Sequence, residues 1–472
     1  MQPLRRMGAW LSDRLALRHL TESMGHEVPR GTATGPSGWM YVLGFTALAL
    51  LLLQVVSGIA LATRYVPAAG SAYESVRLIT EETGSGRLIR GMHFWGATGL
   101  VAFVLVHMAR VFLTGSFKFP REGTWLTGVG LLVLVLAMAF TGQLLRWDQD
   151  GLWGVVVASQ YAGRVPFVGD ALKRLILAGD FLGGATLGRF FALHVIAMPL
   201  LLLGLAGYHL FLVQHHGISE PPRAGEPVEK DGYRRHYREL LEREGVQHFP
   251  WAAWREVVAA AAAVVAVVLL GALVGARELG EPPDPASVPR QPRPDWFLMW
   301  YYALIAVKPR GLEDLTMVYL PIVALAVLLL VPIVAPAGER APSRRPWAVG
   351  SVAVLVLVFG ALTAIGYRGP WVPDLESEPL TAAELPAASP AALEGARTFH
   401  AEGCQACHTV LGRGGAWGPE LTDVLARMSP ARVSERVLNG IGDMPPYRGS
   451  LPGAELEAIL AFLQVVDEER GP

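Results

Sequence analysis

The chain holds 472 residues, 52% of them hydrophobic and only 17% charged, with a formal net charge of −1. So apolar a balance excludes an ordinary soluble domain and marks a polytopic membrane protein with a polar extension. Near-zero charge leaves no footprint for nucleic acid and no field that would steer acidic substrates.

In chain order, residues 1–38 set Arg5, Arg6, Arg14 and Arg18 beside Leu4, Trp10, Leu11, Leu15, Leu17 and Leu20, without a continuous apolar run. The pattern predicts an amphipathic helix on the membrane surface and argues against a cleaved leader. Seven apolar stretches follow, near 39–63, 93–114, 124–145, 190–214, 253–275, 316–336 and 347–366. Each is long enough, at 1.5 Å per residue, to cross a hydrocarbon core of about 30 Å. The fifth is rich in Ala and Val and has the least side-chain bulk. A charged junction, 217–252, divides them into a four-helix unit (39–216) and a three-helix unit (253–368). A Pro-, Ala- and Glu-rich linker, 369–390, leads to a polar domain at 391–472, a size that suits one small helical domain.

The short connections holding Lys118 and Arg121, and Arg340, Arg344 and Arg345, are basic, as is the junction. Positive loops face the cytoplasm, so these define the inner side. Seven crossings from a cytoplasmic N-terminus then put the C-terminal domain outside. The expected fold is an all-α membrane protein with seven transmembrane helices and a small α-helical domain.

Four histidines lie inside apolar stretches: His93 and His107, fourteen residues apart, and His194 and His209, fifteen apart. Both spacings come to about four helical turns, or about 21 to 22 Å. The second and fourth stretches run the same way, so His93 lies level with His194 and His107 with His209. Two levels of paired imidazoles are what two bis-histidine b haems need in a four-helix di-haem bundle. Gly44 and Gly58 on the first helix, and Gly128 and Gly142 on the third, repeat the fourteen-residue period. Glycine leaves a neighbouring helix bare where a porphyrin edge must pass, although glycines also permit close helix packing.

The chain has two cysteines, both in Cys404-Gln405-Ala406-Cys407-His408. The pattern attaches one covalent haem c through two thioethers, with His408 on iron. No second cysteine pair exists to complete a zinc site. Met444, about forty residues on, is the expected sixth ligand, with Met428 as its rival in a helical-looking stretch.

LIRGMHFW (88–95), FKFPREGTWLTG (117–128), TGQLLRWDQDGLW (141–153), TLGRFFALH (186–194) and HHGIS (215–219) carry a family resemblance. The first four helices resemble the cytochrome b of Rieske/cytochrome b complexes, in particular the split-chain photosynthetic type, and the last three resemble that type's subunit IV. The resemblance implies that Arg90 and Arg189 hold haem propionates, a role that suits a guanidinium. It implies a quinol site at Pro294, Asp295 and Trp296, where PDWF stands for the family's PEWY and Asp295 is the proton acceptor. Trp147 and Asp148 would form the site's other wall, with Arg146 where the family usually has proline.

Val42 stands where the split-chain type attaches an extra haem through cysteine, so that haem is excluded. His215 and His216 mark the inner end of the fourth helix, where either proton uptake for quinone reduction or simple solvation would place them. The segment 403–424 resembles class I cytochromes c, including the small cytochrome subunit of nitric oxide reductases.

The implied function is a cytochrome b and c subunit of a quinol:cytochrome c oxidoreductase in a bacterial cytoplasmic membrane, multi-pass, with haem c on the periplasmic side. Menaquinol or ubiquinol would be oxidised outside; electrons would reach haem c through a Rieske iron-sulfur partner and cross the membrane through the b haems. A periplasmic cytochrome c or terminal oxidase would accept them, and the family implies a homodimer. Two other readings use the same scaffold: a Rieske-independent haem conduit or anchor for another respiratory enzyme, and a non-catalytic redox sensor.

Overall fold

The computed structural model describes residues 26–179, 182–283, 293–308, 311–368, 379–414, 419–441, 444 and 446–469. The long apolar helices are α1 (Leu43–Ala62), α3 (Gly86–Leu113), α4 (Glu122–Leu144), α7 (Gly184–His216), α9 (Ala253–Leu273), α11 (Leu315–Val334) and α12 (Pro346–Arg368). All seven expected spans are present. α3 and α7 start several residues before their apolar runs, because polar residues such as Arg87 and Arg189 continue the helix past the hydrocarbon.

Shorter helices lie between them: α2 (Ala72–Glu81), α5 (Gln149–Gly163), α6 (Gly169–Leu177), α8 (Tyr233–Glu244) and α10 (Trp296–Val307). α10 is apolar, but its 12 residues are too few to span. Of the surface helix expected over 1–38, residues 1–25 lie outside the described residues. The remainder departs from it: β1 (Glu27–Pro29) pairs antiparallel with β2 (Gly245–Gln247) of the junction. This pairing of sequence-distant edges leaves no hydropathy signal. Of the linker 369–390, residues 369–378 lie outside the described residues.

α1 packs along α3, α4 along α7, and α9 against both α1 and α3. A Cβ added at Gly91 of α3 would lie 2.7 Å from Gly271 Cα of α9, so the two halves of the chain meet backbone to backbone. The core between the histidine levels is aliphatic: Leu50, Leu51, Leu100, Val101, Val135 and Leu202 bury there.

Of the basic residues in the short connections, Lys118, Arg121, Arg340 and Arg345 are buried, whereas Arg344 is exposed. Lys118 donates to Ala335 O at 2.9 Å, Arg345 to Phe112 O at 2.8 Å and Leu113 O at 2.9 Å, and Arg121 to Gly217 O at 2.9 Å. These are carbonyls at or just past the C-termini of α11, α3 and α7, groups without a helical donor and at the negative end of the dipole. The charges that topology counting reads as cytoplasmic are therefore also helix caps.

In the C-terminal domain, α13 (Pro390–Ala401), α14 (Pro430–Asn439) and α15 (Gly453–Glu469) surround a separate core that includes Phe399, Phe462, Leu456 and Val466. α13 starts on Ser389, whose Oγ accepts from Ala392 N at 3.2 Å. It crosses α15 at Gly395, where any side chain would collide with the Ala458 carbonyl.

Candidate metal centres and an acidic corner

α3 carries His93 and His107, and α7 carries His194 and His209. Their unequal spacings come into line through a π turn at Leu193–Ala197, where Met198 N donates to Leu193 O. Pro199 follows and lacks the N–H that would close an ordinary turn onto Val195. The wider turn absorbs one residue, so fifteen positions on α7 match fourteen on α3.

Each periodic glycine faces one imidazole. A Cβ on Gly58 would lie 3.2 Å from His93 Cε1, on Gly44 3.1 Å from His107, on Gly142 2.7 Å from His194, and on Gly128 3.5 Å from His209. The space each glycine leaves is taken by the edge of the imidazole itself, a tighter role than the one the periodicity predicts. His93 and His194 rings stand 6.3 Å apart between centroids. That separation is wide enough for one metal ion between the rings at metal–nitrogen distances of about 2 Å.

Three of these imidazoles have a hydroxyl partner that the sequence reading missed. Nδ1 of His93 lies 3.0 Å from Ser57 Oγ, that of His194 3.0 Å from Thr141 Oγ1, and that of His209 2.9 Å from Thr127 Oγ1. Each hydroxyl donates its own proton to a carbonyl one turn back: Leu53 O at 2.7 Å, Met138 O at 3.1 Å and Thr124 O at 2.9 Å. It is left to accept from Nδ1–H, which turns the Nε2 lone pair outward as a metal ligand. The signal was available: each hydroxyl directly precedes its glycine. Gly44 is instead preceded by Leu43.

Arg110, one turn beyond His107, was also missed. It is buried, stacks on Tyr41 at 3.8 Å, and among the described residues its Nε and Nη2 have no hydrogen-bond partner. A buried guanidinium with bare donors beside a candidate ligand imidazole fits a haem carboxylate. Arg90, by contrast, is committed to Thr80 Oγ1 at 3.1 Å and Arg277 O at 2.8 Å, and Arg189 is exposed with its guanidinium on Leu175 O.

At the other end of the bundle, PDWF forms the start of α10, with Asp295 as its N-cap. The Asp295 carboxylate lies 3.3 Å from Arg277 Nη1, while Arg277 Nη2 lies 2.6 Å from Asp150 at the start of α5. Asp148 is fully buried and caps α5, accepting from Gly151 N at 2.9 Å and Gly280 N at 3.0 Å. Arg146 turns its Nε toward that carboxylate at 3.6 Å. Burial, against the pull of Arg277, raises the Asp150 carboxyl above its ordinary value, and Asp148 and Asp295 add to the rise. Trp147, left-handed at φ 50°, packs with Leu144, Val155 and Leu187. Trp296 lies beside Phe297, and its Nε1 has no partner among the described residues. His215 and His216 meet edge to face at the end of α7, their ring centroids 4.8 Å apart.

In the C-terminal domain Cys404 and Cys407 begin and end one helical turn. Burial pushes the Cys404 thiol up to about 12 and raises that of Cys407. His408 is buried, its Nδ1 2.8 Å from Pro419 O, and burial lowers its imidazole toward the neutral form. Nε2 is again left for a metal. Met444 and Met428 both pack on the domain core. Met428 sits in extended backbone just past Val424–Arg427, not within a helix as its sequence surroundings predict, because Ser429 and Pro430 start the next one.

Three family models match the chain: Cytochrome b/b6/petB over residues 34–217, Cytochrome b(C-terminal)/b6/petD over 282–375, and Cytochrome C oxidase, cbb3-type, subunit III over 390–463. Similar curated proteins include the menaquinol:cytochrome c reductase cytochrome b subunit of Geobacillus thermodenitrificans, 38% identical over 46% of this chain and 99% of that protein. Cytochrome b6 of Heliobacterium mobile is 39% identical over 45% of this chain and 99% of its own length. Among solved structures, a chain of a hyperthermophilic respiratory Complex III matches with a TM-score of 0.64 at 25% identity, covering 84% of this chain and 95% of that one.

Proposed function

The chain belongs to the cytochrome b/b6 family, and on that premise we propose that it oxidises quinol as the cytochrome b subunit of a quinol:cytochrome c reductase, with its electron-accepting cytochrome c domain fused on. The observation that carries this reading is the matched set of four intramembrane imidazoles, each opposite a glycine, in one chain with a CxxCH unit.

His93 with His194, and His107 with His209, would hold two b haems; Arg110 would serve a propionate at the His107 level, and Arg90 and Arg189 those at the His93 level on turning from the protein partners they hold here. Cys404, Cys407 and His408 would hold haem c, with Met444 as sixth ligand. When bound, these groups supply one-electron transfer across the membrane and outward to a soluble or membrane-bound acceptor. The protein's own part is acid–base and positional. Asp295, at the lip of α10, takes up a proton from quinol, while Pro294 fixes the loop and Trp296 and Trp147 bound the site. The basic ends of α3, α7 and α11 support a cytoplasmic side there, with Asp295 and the c domain outside. A Rieske iron-sulfur protein and a homodimeric assembly complete this proposal.

The test is quinol-driven reduction of the purified complex, following b and c absorbance separately, in wild type and Asp295→Asn. Wild type should reduce both haem types and the variant should be at least tenfold slower. Normal c reduction in the variant, or no response of haem c to quinol, would overturn the reading.

A further inference from the structure

We infer that Asp150 is a positioning residue for quinol oxidation: it anchors Arg277, so that Asp295 shares the guanidinium only loosely and remains free to accept a proton and pass it on. This rests on the quinol site proposed above and deepens it by adding a carboxylate from α5, 145 positions before Asp295 in the chain.

The two arms of Arg277 are unequal. Its bond to Asp150 is short, 2.6 Å, and its contact with Asp295 long, 3.3 Å. Charge-assisted N–H···O bonds are strong near the first distance and weak at the second. The backbone around Arg277 is pinned, so the guanidinium cannot follow a moving Asp295. Arg90 Nη2 donates to Arg277 O at 2.8 Å, Trp95 Nε1 to Gly275 O at 2.7 Å, and Gly280 N to Asp148 Oδ2 at 3.0 Å. When Asp295 gains a proton its attraction to Arg277 lapses, while Asp150 keeps the cation in place. All three side chains are partly open to solvent, at 17% for Asp150, 20% for Asp295 and 34% for Arg277, which gives the proton a way out.

The charged groups facing Asp150 are Arg277, Asp148, Arg146 and Asp295. Removing the Asp150 charge leaves Arg277 to Asp295 alone. The carboxylate form of Asp295 is then over-stabilised, which makes it a weaker base.

The experiment measures quinol-driven b reduction in the assembled complex over a pH series for Asp150→Asn, Asp150→Glu and Asp295→Asn. In Asp150→Asn the limb along which the rate rises with pH should move about one unit lower, with a lower maximal rate and little change in KM. Asp150→Glu should return the limb to its wild-type position. A limb unmoved in Asp150→Asn, with Asp295→Asn still slow, would reduce Asp150 to a structural role and overturn the inference alone. Wild-type kinetics in Asp295→Asn would overturn the quinol site itself and the inference with it. Should Asp150→Asn fail to assemble, Arg277→Lys carries the same test. An ammonium cannot span both carboxylates and should stay with Asp150, so the limb moves to higher pH; no movement overturns the inference.

Discussion

The candidate ligand imidazoles of the bundle and of the C-terminal domain are oriented by the same device made from different atoms. His93, His194 and His209 are held by hydroxyls of a neighbouring helix, whereas His408 is held by the carbonyl of Pro419 in a loop. An interior carbonyl of a spanning helix points along the axis and already accepts from four residues ahead, and its second lone pair is taken here by the hydroxyl. A serine or threonine solves this by returning its proton to its own helix and offering a lone pair sideways. The C-terminal domain folds a loop over its histidine and needs no such intermediary. The glycine beside each hydroxyl completes the difference: a helix surface must be pared back to admit an imidazole, and a loop need not be.

The largest expected effect comes from removing a ligand on one side of this comparison. His408→Ala should abolish the c-type absorbance band while leaving both b bands intact, as read from reduced-minus-oxidised spectra. Loss of b haem in the same variant would show that the two regions do not assemble independently. Next in size, Gly142→Ala should displace His194, because the added carbon would lie 2.7 Å from the ring, and deplete one b haem. Gly128→Ala, at 3.5 Å from His209, should keep both. Equal haem content in the two variants would break the argument that the imidazole edge fills the glycine space. Smallest is Thr141→Val, which preserves shape but leaves His194 Nδ1–H without its acceptor. The haem at that level should be retained about tenfold more weakly, and its potential should rise in a redox titration. No change would mean that the hydroxyl contact does not tune the site.

Much of this was legible in the residues. Hydropathy located all seven spans, and the histidine period brought His93 level with His194. What escaped was information that does not repeat along a helix. The Asp150–Arg277–Asp295 bridge joins three segments of the chain, one of them a loop without periodicity. Arg110 is a single residue whose bare donors become visible only once Tyr41 and Ser116 are placed around it. The β1–β2 pairing is too short for any pattern. Ser57, Thr127 and Thr141 were readable in principle as hydroxyl-glycine pairs, but their meaning depends on which helix lies opposite.

The close approach of Gly91 and Gly271, and the reach of Arg345 to the end of α3, have a consequence for assembly. In the Geobacillus relative the matching 223 residues make up 99% of the whole protein, whereas here the polypeptide continues into the second half of its own interface. Joining two surfaces on one chain replaces their free concentration with an effective one in the millimolar range. A contact too weak to recruit a separate subunit then suffices, and each copy of the four-helix half is made with one three-helix half and one C-terminal domain, whatever the expression level.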